Sequence, residues 1–214
     1  MQRRMVKLRT LIVIGFLFLF TSAIAGAQTV NIVGFGDSLM AGYQLPAEDA
    51  FPTKLETALL ERGYDVAVQN AGVSGDTTSG GLSRLDWSVP DGTDLVILEL
   101  GGNDALRGIA PEISRDNLDQ MIARLKDRGI DVILVGILAP PNMGEAYAAN
   151  FNPIFPDLAE KHDVPLYPFF LDGAITVPGM MLADGIHPSA QGTTAMVERF
   201  MPLITNYLET HAAG

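Results

Sequence analysis

The chain of 214 residues contains no cysteine. That excludes a disulfide framework, a thiolate metal site, a cysteine nucleophile and a lipid-modified N-terminal cysteine. Histidine is almost as scarce, with only His162, His187 and His211. Any mechanism that needs an imidazole must use one of these, and a three-histidine metal centre would need all of them, including one close to the C-terminus. Basic residues number 14 against 25 acidic, a net charge of −11. An acidic chain without basic clusters argues against nucleic acid binding. Trp87 is the single tryptophan, which disfavours an aromatic platform for sugars.

Long hydrophobic runs are also missing. Leu11 to Phe20 is apolar but falls short of the roughly 20 residues that span a membrane. It follows a basic start of Arg3, Arg4, Lys7 and Arg9 and precedes small-residue cleavage sites at Ala23-Ile24-Ala25 or Ala25-Gly26-Ala27. This is the layout of a secretory signal peptide over residues 1–27, with an uncleaved membrane anchor as the alternative. The expectation is an exported protein, periplasmic or secreted, cleaved near Ala25 or Ala27. The mature chain then carries about −15 charges and has no stable membrane insertion.

Residues 28–214 are enough for one domain with a full core. They show no repeat and no Pro/Ser-rich linker. Val30, Ile32, Val33 and Phe35 form a first strand that ends in a glycine turn at Gly34-Phe35-Gly36-Asp37-Ser38. Helical spacing follows over Glu48 to Arg62, with Pro52 in its first turn. Val66 and Val68 mark a second strand and lead into the glycine-rich loop from Asn70 to Thr77. Leu82 and Leu85 suggest a short helix behind it. Asp94 to Leu100 is a near-continuous apolar run, expected as a central strand buried on both faces, and ends in Gly101-Gly102-Asn103-Asp104. A helix over Pro111 to Arg128 carries Ile113, Leu118, Met121, Ile122 and Leu125 on its apolar side. Ile130 to Leu138 reads as a fourth strand stopped by Pro140-Pro141. Tyr147 to His162 reads as a helix interrupted around Pro153 and Pro156, with His162 facing solvent. Val164, Leu166 and Tyr167 make a short fifth strand. Phe169 to Ile186 has no period, although Met180-Met181 suits packing, and a final helix runs from Ser189 to Leu208 with Pro202 as a candidate kink. This β-α alternation predicts an α/β fold of three layers, α/β/α, around a five-stranded parallel sheet.

Three strand-following loops hold polar residues among glycines, and in a parallel sheet they open at one edge. Ser38, at the end of the first strand, is the candidate nucleophile. Asp184 and His187 lie three apart across Gly185. In a turn, that spacing lets the carboxylate take Nδ1–H and leaves Nε2 free for a hydroxyl, which is the arrangement of a Ser-His-Asp triad. Each signal alone has a structural explanation, as a turn, a cap or a solvated histidine. Their joint occurrence at strand ends favours catalysis. A dinucleotide site is disfavoured because Leu39 stands where the third glycine belongs. An ordinary α/β-hydrolase is disfavoured because no serine lies in Gly-x-Ser-x-Gly. A non-enzymatic binding module would have to retain the whole constellation unused.

The four blocks resemble the SGNH hydrolases, also called GDSL hydrolases, from about Val30 to Leu208. The matching residues are Gly36-Asp37-Ser38-Leu39, Gly75 in Ser74-Gly75-Asp76-Thr77, Gly101-Gly102-Asn103-Asp104 and Asp184-Gly185-Ile186-His187-Pro188. Leu98 to Asp104 with Leu106-Arg107-Gly108, and Val164 to Phe170, resemble a narrower group of bacterial periplasmic acyl thioesterases, arylesterases and lysophospholipases. The resemblance implies the flavodoxin-like fold of that family and an acyl-enzyme mechanism on Ser38. His187 is then the base and Asp184 its orienting acid. The backbone N–H groups of Ser38 and Gly75 and the amide of Asn103 form the oxyanion hole. It implies no cofactor and no metal. The partner is a small-molecule ester or thioester, and the protein is a monomer or weak oligomer. The site is expected to be shallow and open. Asp37, Leu106, Arg107, Pro141, Met143 and Tyr147 are the candidate substrate-binding residues, drawn from walls at Asn103–Gly108 and Pro140–Tyr147. An aryl or short-to-medium acyl ester is the expected substrate, with acyl-CoA thioesters or acetylated carbohydrates as alternatives.

Overall fold

The computed structural model describes residues 29–211. The expected leader and its expected cleavage sites lie outside the described residues. Five parallel strands, β1 (Val30–Gly36), β2 (Val66–Gly72), β3 (Leu95–Glu99), β4 (Asp131–Val135) and β5 (Leu166–Tyr167), form one sheet in the order β2-β1-β3-β4-β5. The strand order therefore reverses between β1 and β3. β3 is buried at every residue and β1 from Ile32 onward, as their unbroken apolar runs require for strands covered on both faces.

Eight α-helices accompany the strands among the described residues: α1 (Ser38–Ala41), α2 (Phe51–Glu61), α3 (Thr78–Ser88), α4 (Gly102–Leu106), α5 (Pro111–Asp127), α6 (Glu145–Phe151), α7 (Ile154–His162) and, after the last strand, α8 (Ala190–His211). α2 packs on α8, α3 and α7 pack on α5, and the sheet lies between these groups. Leu118, Met121, Ile122 and Leu125 of α5 are fully buried, at helical spacing. Pro111 occupies a first-turn position where no N–H is needed. Phe51 of α2 and Tyr167 of β5 both meet Phe200 of α8 edge-on, with ring centroids 5.6 and 5.1 Å apart.

Several elements differ from the sequence reading. Ile113 is exposed rather than packed, because it lies in the first turn of α5, ahead of the buried stripe. α2 begins at Phe51, and the preceding Ala47–Asp49 forms a 3-10 turn. β2 continues to Gly72, so the strand runs into the glycine loop. The interrupted helix is two helices, broken at Asn152-Pro153, with Pro156 in the first turn of the second. α8 continues through Pro202 to His211. His162 does not face solvent freely. Its Nε2 lies 2.6 Å from Asp119 Oδ1 and its side chain is largely covered, because Lys161 and His162 at the end of α7 converge on one carboxylate of α5. The stretch from Phe169 to Ile186 is turns, held by the pairing of Met181 with Pro188, and Met180 and Met181 pack against the core. No helix among the described residues is long and apolar enough to cross a membrane.

Candidate active site

A ligand site is expected where the strand order of a parallel sheet reverses, and the candidate residues gather there. β1 ends at Gly36 and Asp37 caps α1, its carboxylate Oδ1 accepting Leu39 N–H at 3.0 Å. Ser38 therefore opens the helix at the carboxyl edge of the sheet. Gly36 is the only residue type that fits beneath it: a Cβ there would come within 2.5 Å of Glu99 Oε2 and 2.7 Å of the Glu99 carbonyl.

Ser38 Oγ–H donates to His187 Nε2 at 2.8 Å, and His187 Nδ1–H donates to Asp184 Oδ2 at 2.8 Å. The other Asp184 oxygen accepts the backbone N–H groups of Ile186 and His187 at 2.9 and 3.0 Å. Those two N–H groups, and then the imidazole, hold its carboxyl down at about 2. Gly185 sits at φ +69°, which closes this turn. Leu182 N–H donates to the His187 carbonyl and Ser189 N–H to the Met180 carbonyl, both at 2.8 Å, pinning the loop that carries Asp184 and His187 ahead of α8.

The glycine loop after β2 brings in Gly75 at φ +82°, a backbone that favours glycine. Arg84, buried on α3, organises this region. Its Nε–H donates to Asp76 at 2.6 Å, and its Nη groups donate to the carbonyls of Ala71 at 2.8 Å and Gly36 at 2.9 Å. Its guanidinium carbon lies 4.0 Å from the centre of the Phe35 ring. One side chain thereby ties the end of β1, the end of β2 and the residue after Gly75 together.

Asn103 is the second residue of α4. Its Nδ2–H donates to Asp37 Oδ2 at 2.9 Å. The next residue, Asp104, is fully buried and accepts from Thr78 N–H at 2.9 Å, Thr78 Oγ1 at 2.5 Å and Ser114 Oγ at 3.0 Å. α4 is thus bolted to α3 and α5. Burial raises the Asp37 carboxyl to about 6, against the opposing bonds from Leu39 and Asn103. Beneath it Glu99 is fully buried, accepts Asp37 N–H at 3.2 Å and has an unpartnered Oε1. Burial, and then the nearby Asp37, push the Glu99 carboxyl well above its ordinary value.

The candidates for substrate contact separate into two groups. A pocket of about 250 Å³ holds Asp37, Ser38, Gly75, Asn103, Leu106 and His187, together with Tyr43. Leu39, Gly102, Leu106 and Ile186 continue from it into an apolar groove of about 560 Å³, walled by Ile137, Pro141, Phe169 and Ile175 among others. Leu106 and Pro141 therefore line the space. Arg107, Met143 and Tyr147 do not. The Arg107 guanidinium donates to the Gly75 carbonyl at 2.8 Å, and the Tyr147 hydroxyl donates to the Ile109 carbonyl at 2.8 Å. Asp37 is only 2 % exposed and both its oxygens are engaged, which suits positioning better than contact. Tyr43 and the groove wall around Ile175 were not found by sequence reasoning. Among the described residues, no group of three or more His, Asp or Glu could hold a metal ion.

A Ser-His-Asp relay at the carboxyl edge of a parallel sheet, with Asp and His on one turn before the last helix, defines a class of α/β serine hydrolase distinct from those with a Gly-x-Ser-x-Gly elbow. The chain belongs to the GDSL-like lipase/acylhydrolase family, whose model matches residues 35–195. It is 45 % identical over 195 residues to an arylesterase of Vibrio mimicus, an alignment covering 91 % of this chain and 95 % of that one. It is 38 % identical over 196 residues to thioesterase 1/protease 1/lysophospholipase L1 of Escherichia coli K12, covering 89 % and 92 %. Among solved structures, the psychrotrophic esterase EstA from Pseudoalteromonas sp., inhibited by monoethylphosphonate, superposes with a TM-score of 0.79 at 28 % identity, covering 84 % of this chain and 98 % of that one.

Proposed function

We propose that the protein is a serine esterase that hydrolyses aryl or short-to-medium acyl esters through an acyl-enzyme on Ser38. The unbroken relay from Ser38 Oγ through His187 to Asp184 carries this reading. In acylation Oγ attacks the ester carbonyl as its proton passes to Nε2. Asp184, ionised to about pH 2, stays a carboxylate throughout, so it holds the tautomer with Nδ1 protonated and stabilises the imidazolium. The oxyanion is received by the backbone N–H groups of Ser38 and Gly75 and the second Nδ2 hydrogen of Asn103, an amide that adds no charge and no titrating proton. Nε2–H then protonates the leaving oxygen. Water, activated by the same imidazole, releases the acid. No step calls on a metal or cofactor.

The apolar groove that opens from Leu106 suits an acyl chain. Thioesters and lysophospholipids are a second reading, favoured by the name of the E. coli relative. The basic-apolar leader supports action outside the cytoplasm, where lysophospholipids and exogenous esters are more accessible than acyl-CoA.

The test compares p-nitrophenyl esters from acetyl to palmitoyl with the matching acyl-CoA series, using the protein and Ser38→Ala. Turnover by the wild type and none by Ser38→Ala supports the serine mechanism, and the ratio of the two kcat/KM profiles ranks ester against thioester. Full activity in Ser38→Ala would sink it.

A further inference from the structure

We propose that Tyr43 forms the subsite for the alcohol half of the ester and, by covering the ring of His187, favours aromatic leaving groups. This rests on the serine-esterase reading above. The Tyr43 and His187 ring centroids are 4.3 Å apart with planes at 34°. Tyr43 is 37 % exposed and lines the pocket that holds Ser38, yet it is not part of the apolar groove. Its position follows from the same turn that carries the nucleophile. Gly42, at φ +77°, reverses the chain after α1, and Tyr43 N–H donates to the Ser38 carbonyl at 3.1 Å. A side chain at position 42 would also collide with Ala50, whose Cβ would lie 2.7 Å away.

The chemistry assigns the two halves of the substrate to opposite sides. When Ser38 Oγ bonds to the carbonyl carbon, its proton goes to His187 Nε2. When the carbon–oxygen bond to the alcohol breaks, that same proton must pass from Nε2 to the departing oxygen. The alcohol therefore lies against the imidazole, and the acyl chain points away from it. The groove beginning at Leu39, Gly102, Leu106 and Ile186 receives the acyl chain. Tyr43, with Ser74 and Gly75, lines the pocket outside the groove. A phenyl or nitrophenyl leaving group can form an aromatic pair with this exposed ring, and an alkyl group cannot. Aromatic pairs favour the ring by roughly 2–12-fold in kcat/KM.

The test uses two butyrate esters whose alcohols have similar acidity: phenyl butyrate and hexafluoroisopropyl butyrate. Both form the same butyryl-enzyme, so their kcat/KM ratio isolates acylation from every later step. The expected result is a ratio lowered roughly 2–12-fold in Tyr43→Leu, retained in Tyr43→Phe, and an acyl-length optimum unchanged in both. Equal losses on the two esters in Tyr43→Leu would overturn the assignment, since the ring would then act on His187 or the fold alone. A shifted acyl-length optimum would also overturn it by placing Tyr43 on the acyl side. Failure of the underlying reading looks different: neither ester is turned over by wild type, or Ser38→Ala hydrolyses both.

Discussion

The side-chain amide of Asn103 donates to Asp37 Oδ2 at 2.9 Å, while Asp37 Oδ1 takes the N–H of Leu39. One carboxylate thus caps the helix that begins with Ser38, the proposed nucleophile, and aims the Asn103 amide, the proposed oxyanion donor, on another loop. Asparagine at position 37 cannot do both, because one of the two donors would then face an NH₂ group. Removing an oxyanion donor costs about 10²–10³ in kcat, which is the loss expected for Asn103→Ala. Asp37→Asn is expected to lose roughly 10–10² in kcat, with KM nearly unchanged, because the amide is misdirected rather than deleted. Steady-state kinetics of the two variants on one p-nitrophenyl ester provide the check. A raised KM at wild-type kcat in Asp37→Asn would instead make Asp37 a substrate contact.

Burial lifts the Asp37 carboxyl to about 6, whereas backbone N–H groups hold Asp184 at about 2. The sign follows for each. Lowering the pH through 6 protonates Asp37 and weakens its hold on Asn103 and Leu39. Asp184 stays ionised across that range, and the stability its carboxylate adds is present above its ordinary value of 3.8 and lost only as the pH falls through about 2. Protonation of Asp37 therefore adds one proton-dependent loss of activity on the acid side, centred near pH 6 in the wild type and absent from Asp37→Asn. The kcat/KM profiles of the two proteins between pH 4.5 and 8 give the comparison, and profiles of identical shape would exclude a role for Asp37 ionisation.

Arg84 is the largest single brace behind the site. Its bonds reach Asp76, Ala71 and Gly36, and the arginine and Asp76 side chains are only 8 % and 11 % exposed. Arg84→Ala leaves a buried carboxylate uncompensated, which costs about 3–5 kcal/mol. Arg84→Lys keeps the charge but loses the fork that reaches three acceptors at once, so it is expected to fall between the two. Urea unfolding gives the comparison. A loss below about 1 kcal/mol in Arg84→Ala would show that the pair behaves as a surface ion pair.

The juxtaposition of the candidate site residues was legible where their contacts are local. Gly36-Asp37-Ser38 is a turn and a cap, and Asp184-Gly185-Ile186-His187 closes its own acid–base bond within four residues. The strands at Ile32 and Leu95 were legible because burial on both faces leaves a run of apolar residues and glycine. What was not legible depends on distant parts of the chain. Nothing around Tyr43 reveals that its ring meets His187. The pairing of His162 with Asp119 joins two helices through residues 43 positions apart. The stretch from Phe169 to Ile186 has no period, since turns impose none, yet it supplies Ile175 and Ile186 to the groove wall. The bonds of Arg107 and Tyr147 were not legible either, because each has a backbone carbonyl from another part of the chain within reach of its polar end.

The groove turns that last difference into a test of acyl-length selection. Leu106 lies where the catalytic pocket meets the groove, and Ile175 lines the groove outside that pocket. Neither Met143 nor Tyr147 lines it; Met143 instead packs near Gly108. Filling the groove from its wall should truncate it, so Ile175→Trp is expected to shift the optimum toward shorter acyl chains while acetyl esters keep wild-type kcat/KM. Leu106→Ala removes apolar surface next to the scissile bond. Each buried methylene is worth about 0.8 kcal/mol, so kcat/KM for medium chains should fall roughly three- to tenfold. Met143→Ala should leave the profile unchanged. Chain-length profiles of p-nitrophenyl esters for the three variants separate the possibilities. A shift caused by Met143→Ala, with none from Ile175→Trp, would move the acyl site from the groove beside Ile175 to the surface around Met143.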